Sequence, residues 1–558
     1  MLSRPSPAIV AQEAVRRLPR PALWLLCVAY VLAGWLGRAP WKSHDMASFG
    51  LMHTLALGRS NWLAPRLMET APELGGLLPY WLGAWAIKLC PSWIAPDLAA
   101  RIPFGLLLAL SFVATWYAVY YLARNTDAQP VPFAFGGEAK PTDYARSMAD
   151  GGLLALVAML GLAQLSHEVT ANAAQMAFAA LLFYGCAASV FHLRVPAAAL
   201  VVGSFGLALS GTPAFGMALA FSAALARAMH KDTHAKYWAL WIAALGLGAG
   251  ILALALGQWQ AQWGQVPSTW TQWRSLGKLG LWFTWPAWPL AAIALWKWRS
   301  WWRSLHIVLP TSMVLVILVA VVSRPGADRT LLLALPMLAS LAAFALPTMQ
   351  RSVMALVDWF TLLFFSGCAV VIWVVWLAMH TGWPAQPAAN VKRLFPGFEV
   401  QFSFATFFIA SCATLAWAWL VYWRAGRHRA ALWKSLVLPA GGAAMSWLLL
   451  TTLWMPLVDF ARSYAPLSRQ VAAILGPQIC VHAYGLTMGQ AAGFQYHGNL
   501  RLAPLQAAPT CPWLIVDSDS ARLFSQSPYA AHWTLRTSVR RPSDDNENVM
   551  LFQRTAPR

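Results

Sequence analysis

Apolar segments of about 20 residues follow one another along most of the chain, separated by short polar loops. A helix of that length crosses the hydrocarbon core of a bilayer, and the pattern predicts about 13 such helices. They occupy residues 21–37, 98–123, 151–166, 173–192, 196–210, 213–229, 236–257, 280–296, 305–322, 329–346, 353–379, 403–423 and 431–455. Residues 1–456 are therefore predicted to form an all-α polytopic membrane domain.

Composition and charge support this class. The chain is 59% hydrophobic and 11% charged, whereas soluble domains carry about 25% charged residues. Its net charge of +20 is concentrated in short loops between apolar segments, such as 124–146 and 297–303. Cytoplasmic loops carry this excess of Lys and Arg, which predicts a cytoplasmic N-terminus and, with an odd number of spans, an outward C-terminus. The charge therefore predicts membrane topology rather than a nucleic-acid partner.

Residues 38–97 form a large outward loop in this topology. Its apolar stretch at 77–90 is too short to span a membrane and predicts an in-plane or re-entrant helix. Earlier in the loop, Met46, Phe49, Met52 and Leu55 recur at helical spacing. This spacing predicts a second helix that lies in the interface.

Residues 457–558 differ in kind from the rest. Short alternating runs, "QICVHAYGL", "CPWLIVDS", "HWTLRTSV" and "NVMLFQRT", predict strands of a small α/β domain. Two of the seven cysteines, Cys480 and Cys511, fall in this domain. On the outward, oxidising side they are predicted to form a disulfide, with two free structural thiols as the alternative. The chain has no nucleotide-binding P-loop, dinucleotide fingerprint or zinc-protease motif, which leaves those chemistries without support.

An aspartate follows directly on the first apolar segment, in "PWKSHDMASFG" at residues 40–50. Asp45 has two interpretations. It is a favourable N-cap for the interfacial helix, a role that Ser43 could share. It is also placed to act as a catalytic base at the membrane surface.

The loop that follows resembles the GT-C glycosyltransferases that use polyprenyl-phosphate sugars. The closest likeness is to aminoarabinose transferases and protein O-mannosyltransferase-like proteins. The resemblance rests on Asp45 and on "SNWLAPRL", "PELGGLLPYW" and "AARIP" within residues 60–103. Two lysines of the family pattern are absent: Leu74 or Gly75 stands at one position and "SGTP" at 210–213 replaces the other. The family's second aspartate falls nearest Asn172 in "SHEVTAN", with Glu168 four residues earlier.

The resemblance implies a bacterial inner-membrane enzyme that moves a sugar from a polyprenyl (undecaprenyl) phosphate carrier to an envelope acceptor at the periplasmic face. The acceptor is a lipid A-like lipid, a polysaccharide or a protein. Phosphate is a good leaving group, so the reaction needs a base but no covalent carboxylate nucleophile, and one displacement inverts the anomeric carbon. Asp45 is the expected base and Glu168 the second acidic residue. The expected substrate and lipid-phosphate ligands are Lys42, Arg59, Arg66, Tyr80, Asn172, Arg324 and Arg329.

Cofactors and alternatives complete the expectations. The sequence identifies no certain cofactor, and a divalent cation could bind near Asp45 through His44, His53 or His167. Outside enzymes, the alternatives are a lipid-carrier transporter or an inactive relative. A transporter places ionisable residues within its spans, and Asp358 is a rare residue of that kind in this sequence.

Overall fold

The computed structural model describes residues 6–259, 266–324, 326–425, 431–476, 478–506 and 510–555. Each of the thirteen predicted spans contains a helix. The first group comprises α1 (Arg20–Leu32), α2 (His44–Ala56), α3 (Leu78–Leu89), α4 (Pro96–Arg124), α5 (Pro141–Ala158), α6 (Leu162–Leu165), α7 (Ala171–Ala188), α8 (Arg194–Leu209), α9 (Pro213–Ala228) and α10 (Ala235–Ala255). We call the side of the bundle that carries α2 and α3 the outward side, and the opposite one the inner side.

The second group of helices completes the bundle. It comprises α11 (Trp270–Phe283), α12 (Ala287–Lys297), α13 (Leu305–Ser323), α14 (Ala327–Leu331), α15 (Leu335–Ala345), α16 (Arg351–Thr381), α17 (Ala385–Leu394), α18 (Phe404–Ala425) and α19 (Lys434–Leu453). Within the described residues, eight helices are long and apolar enough to cross a membrane, or nine if α11 and α12, bent by 89°, count as one. Three shorter apolar helices, α1, α8 and α9, accompany them.

The predicted span 280–296 is divided between α11 and α12, and the predicted span 151–166 also differs from its bounds. Helix α5 begins at Pro141, ten residues before the predicted start, and includes the charged side chains of Asp143, Arg146 and Asp150. Because these charged residues interrupt the apolar pattern, the sequence did not indicate the first turns of α5. The buried Asp150 is accommodated because Arg20 and the indole N–H of Trp116 donate hydrogen bonds to it, at 3.0 and 2.8 Å.

The C-terminal residues form helices α20 (Met455–Arg462) and α21 (Ala465–Leu475) and a sheet domain with α22 (Met488–Tyr496) and α23 (Ala521–Ser525). Its strands are β1 (Cys480–Tyr484), β2 (Arg501–Pro504), β3 (Trp513–Asp517), β4 (Trp533–Arg541) and β5 (Asp544–Arg554), in the order β2-β1-β3-β5-β4. β1 is parallel to β2 and β3, whereas β5 is antiparallel to β3 and β4. Four strands match the predicted runs, β2 was not predicted, and Cys480 and Cys511 form the predicted disulfide.

The sheet domain is docked on the outward loop. A Cβ built on Gly50 of α2 would lie 2.5 Å from the Cβ of Ala492 in α22, so the two helices pack in close contact. The hydroxyl of Tyr496 donates to Asp97 at 3.1 Å. Helix α2 was predicted to lie in the interface, but Met46, Phe49 and the rest of its apolar side are enclosed by α3 and α22.

Candidate active site

Asp45 lies at the junction of the first outward loop and the segment before α7. Its side chain is buried, and its two oxygens accept hydrogen bonds from three donors. Oδ2 accepts from Arg38 Nη2 and from the Trp41 amide, both at 3.0 Å, and Oδ1 accepts from the Val169 amide at 2.8 Å. The carboxylate therefore joins segments that are 124 residues apart in the chain.

This geometry corrects one interpretation of Asp45. The helix begins at His44 rather than Met46, and Asp45 is its second residue. Neither Asp45 nor Ser43 caps it, because the Ser43 side chain makes no capping bond and the Asp45 carboxylate bonds the preceding Trp41 amide. The simple N-cap interpretation is therefore wrong.

Glu168 immediately precedes Val169 in the chain. Its side chain is buried, with Oε2 2.6 Å from Arg329 Nη1, and Oε1 accepts a hydrogen bond from the side-chain amide of Gln164 at 3.1 Å. Arg329 belongs to α14, so Glu168 connects two outward helix ends. The side-chain oxygen of Gln164 accepts in turn from Arg462 of α20, at 3.0 Å.

Trp41 connects these two carboxylate networks. The guanidinium of Arg38 lies 4.7 Å from its ring centroid and that of Arg462 lies 5.3 Å away. Its indole N–H donates to Asp459 at 3.1 Å. Burial raises the pKa of Asp459, although the Ala39 amide and the Trp41 indole donate to its carboxylate. We call Arg38, Trp41, Asp45, Glu168, Arg329 and Arg462 the outward cluster.

An exposed histidine–glutamate pair lies at the edge of this cluster. His44 Nε2 is 3.2 Å from a carboxylate oxygen of Glu73, whose side chain is 77% exposed. The hydrogen bond from His44 lowers the pKa of Glu73, and the charges of His44 and Arg329 act in the same direction. Glu73 is thus the accessible carboxylate near Arg329, while Asp45 and Glu168 are enclosed.

The two positions where the resemblance expects lysines are in contact with each other. A Cβ built on Gly211 would lie 2.1 Å from the Leu74 carbonyl oxygen, and one built on Gly76 would lie 2.5 Å from the Gly211 amide nitrogen. Both glycines have positive φ, +89° and +83°. Backbone therefore fills the space between the 74–76 and 210–213 segments, and any phosphate ligand must come from other residues.

The predicted phosphate ligands have different environments. Lys42 pairs with Asp544 at 2.6 Å and Glu547 at 3.4 Å, which commits it to docking the sheet domain. Arg59 and Arg66 are exposed outside the cluster. Arg324, at the end of α13, is half-buried, and within the described residues no acidic group pairs with it. Burial lowers its pKa.

Tyr80 and Asn172 lie in the packed interior. The Tyr80 side chain is hydrogen-bonded to Ser48, and burial raises the pKa of the Tyr80 hydroxyl. The Asn172 amide donates to Gln175 at 3.3 Å, and Gln175 donates to the Ser210 carbonyl at 2.7 Å. Asn172 therefore supports the 210–213 hairpin rather than an open cleft.

The three candidate metal-binding histidines are not brought together. Both ring nitrogens of His167 face backbone carbonyls, of Ala163 and Tyr30, at 2.5 and 2.9 Å. His53 stacks on Phe49, and burial lowers its pKa. Across the described ranges, no three His, Cys, Asp or Glu side chains lie close enough to hold a metal ion.

Arg38 and Arg462 are cluster residues that the sequence reasoning missed. Arg38 is buried, and its Nε and Nη1 have no hydrogen-bond acceptor in the described part of the chain. The sequence did carry a signal for Arg38. It lies seven residues before Asp45, and a cation and an anion that are close together after a span can form an ion pair. For Arg462, 298 residues from Gln164, the local sequence carries no such signal.

Comparison with known structures identifies the fold of the chain. No family model matches the chain, and no curated protein matches it by sequence. The crystal structure of ArnT from Cupriavidus metallidurans bound to undecaprenyl phosphate superposes with a TM-score of 0.61. The chain has the fold of ArnT. The match covers 96% of this chain and 98% of that one, at 14% identity; the apo ArnT structure gives a TM-score of 0.60 over 95% and 98%, also at 14%. The GT-C resemblance read from the motifs is thereby confirmed as a fold.

Proposed function

We propose that the chain transfers a sugar from a polyprenyl phosphate to an envelope acceptor at the periplasmic face of the bacterial inner membrane. The observation that carries the proposal is the outward cluster, where Asp45 contacts Arg38 and the Val169 amide, and Glu168 contacts Arg329 of α14, at one end of the bundle. The ArnT fold supports the same class of donor, since one of the similar structures holds undecaprenyl phosphate.

Asp45 is the proposed base and Glu168 the second acidic residue. The leaving phosphate needs no general acid, and attack by the acceptor hydroxyl inverts the sugar in one step. Asp45 is buried, so the acceptor hydroxyl can reach its carboxylate only after a covering segment moves. The Val169 amide is the donor on a separate segment, so we propose that residues 166–170 move when the acceptor enters.

The donor phosphate requires cations that still have hydrogen-bond donors to offer. Arg462 hydrogen-bonds the neutral Gln164, and Arg324 has no acidic partner in the described ranges. Arg329 retains further guanidinium donors beyond its bond to Glu168. These three arginines are the proposed phosphate ligands, and they replace the two lysines of the family pattern.

Charges inside the spans do not favour a transporter. Asp358 in α16 is paired with Arg424 of α18, and Asp150 in α5 is paired with Arg20. Neutralised pairs of this kind hold helices together and do not present an isolated charge to a transported substrate.

A deletion strain tests the activity. Mass spectrometry of its envelope lipids and polysaccharides should show the loss of one sugar modification, which the wild-type gene restores. Asp45→Asn and Glu168→Gln should fail to restore it, with transfer reduced about 100-fold or more. Asp358→Asn is the matched control, since it also removes a carboxylate paired with arginine, and it should restore the modification. An unchanged envelope in the deletion strain, with undecaprenyl phosphate still bound by the purified protein, would identify an inactive carrier-binding relative.

Topology has a separate test. Alkaline phosphatase is active only outside the cytoplasm, so fusion after Arg558 should give activity and fusion at Lys231 should not. The reverse pattern would place Asp45 on the cytoplasmic side and overturn the proposed site.

A further inference from the structure

An apolar groove separate from the outward cluster runs along α1, and the arginines that line it lie on the inner side of the bundle. A cavity of about 780 Å³ opens between α1, α4 and α5. Its walls are apolar, formed by residues such as Val28 and Val31 of α1, Ala109 and Phe112 of α4, and Leu153 of α5. Along α1 the lining extends from Arg20 to Leu32, which corresponds to about 18 Å of helix. One leaflet of the hydrocarbon core is about 15 Å thick, so the groove has the length of one acyl chain.

Three arginines surround the inner end of this groove. Arg17, Arg20 and Arg146 line it, and their side chains are 65%, 42% and 37% exposed. Arg20 bonds Asp150 through Nη1, and Arg17 and Arg146 both face one oxygen of Asp143, at 3.5 and 3.9 Å. Because a guanidinium has five donor hydrogens, most of these donors remain for a ligand.

The charge at the groove mouth is unbalanced. Three arginines face two carboxylates, and the Asp150 carboxylate is fully buried beneath Arg20. The accessible surface of the mouth is therefore cationic, at the end of an apolar channel. Basic pockets between membrane helices on the cytoplasmic side bind anionic lipid headgroups.

The side of α1 that faces the groove is left open by the protein. Its lining side chains Trp24, Val28 and Leu32 are 64%, 48% and 52% exposed. An acyl chain in the groove would pack between α1 and the α4–α5 wall. From this geometry, we propose that the groove binds one anionic glycerophospholipid, with its phosphate at Arg17, Arg20 and Arg146 and an acyl chain along α1.

This site is independent of the proposed sugar transfer. The carrier phosphate is proposed to bind at the outward cluster, beyond the C-terminal end of α1, whereas the three arginines lie at its N-terminal end. The experiment therefore uses binding of lipids by the full-length protein, and enzymatic activity is not its readout.

Native mass spectrometry of the purified protein tests the proposal with three lipids: phosphatidylglycerol, phosphatidylcholine and undecaprenyl phosphate. The wild type should bind one phosphatidylglycerol in preference to phosphatidylcholine. Arg17→Gln combined with Arg146→Gln, which leaves the Arg20–Asp150 pair intact, should weaken that binding on the order of tenfold. Ala109→Trp should weaken it by filling the groove without a change of charge.

Arg299→Gln combined with Arg303→Gln is the matched control. It removes the same charge from exposed inner-side residues that do not line the groove, and phosphatidylglycerol binding should stay at the wild-type level. Equal binding of the two phospholipids, an equal loss in the control, or unchanged binding in both groove variants would overturn the proposal. Displacement of phosphatidylglycerol by equimolar undecaprenyl phosphate would also overturn it, because the groove would then belong to the carrier.

Discussion

The outward cluster and the inner groove use the same chemistry with opposite accessibility. Both combine arginines with aspartate or glutamate at helix ends. In the cluster, Arg38 and Asp45 are buried and connect segments that are distant in the chain. At the groove, Arg17 and Arg146 are substantially exposed and share one carboxylate.

This difference in accessibility implies different roles: buried pairs hold the local structure in place, whereas exposed pairs can bind a ligand. Loss of one partner of a buried ion pair lowers the free energy of unfolding by several kcal/mol, because the other charge stays buried without a counter-charge. An exposed pair contributes about 0–1 kcal/mol and leaves donors for a ligand. We therefore expect changes in the cluster to affect folding and catalysis together, and changes at the groove mouth to affect lipid binding alone.

Removal of the buried carboxylate gives the largest expected effect. Asp45→Ala leaves Arg38 buried and unpaired and should reduce the free energy of unfolding by about 3–5 kcal/mol. Asp143→Ala at the groove mouth should cost below about 1 kcal/mol. Equilibrium unfolding in mixed detergent micelles measures both. Similar losses for the two variants would abolish the distinction between the regions.

The close backbone contact between the 74–76 and 210–213 segments gives the next largest effect. Gly211→Ala places a Cβ 2.1 Å from the Leu74 carbonyl at φ +89°, and the strain should cost about 2–4 kcal/mol. Gly257→Ala is its control, with φ +65° and open space around the new methyl group, and should cost about 1 kcal/mol. Thermal unfolding of the two purified variants compares them, and equal transition temperatures would contradict the contact.

Loss of charge at Glu168 is expected to cost less stability. Glu168→Gln keeps a hydrogen-bonding side chain opposite Arg329 and Gln164, so the penalty should be about 1–3 kcal/mol. Undecaprenyl phosphate binding should persist, because the variant leaves the positive charge of Arg329 in place. Titration of the purified variant with that lipid provides the measurement; complete loss of binding would make Glu168 an organiser of the phosphate site.

The exposed pair of the outward side should behave like the groove mouth. Since His44 lowers the pKa of Glu73 below its ordinary value of 4.5, the pair stabilises the folded state above pH 4.5, and this stability is lost as the pH falls through the lowered pKa. Glu73→Gln should therefore lower the melting temperature slightly at neutral pH, and the difference should shrink as the pH falls below 4.5. A difference that grows toward acid would reverse the assignment of the shift.

Elements that depend on periodicity could be predicted from the sequence. Apolar runs located a helix at every predicted span, and alternation located β1, β3, β4 and β5. The pattern failed where charge interrupts a helix, as at Asp143 in α5, and where a strand is as short as β2, Arg501–Pro504. In both cases too few residues follow the period for it to be recognised.

The site could be predicted only in part. Asp45 and Glu168 carry local signals, because Asp45 follows the first apolar span and both lie near positions where the GT-C pattern has acidic residues. Their partners do not, because Arg329 is 161 residues from Glu168 and arginines at span ends are common. The contact between Gly211 and Leu74 replaces two lysines with backbone, and neither segment alone indicates that the other lies against it.

The docking of the sheet domain on α2 has a consequence for biosynthesis. Arg462 and the domain that pairs with Lys42 lie downstream of every membrane helix, so the ribosome makes them after all spans. During insertion, the apolar surface of α2 that α22 later covers is therefore exposed, with Gly50 still open. A segment synthesised after the spans thus completes a site that begins more than 400 residues earlier in the chain, which makes assembly of this site a post-insertion event.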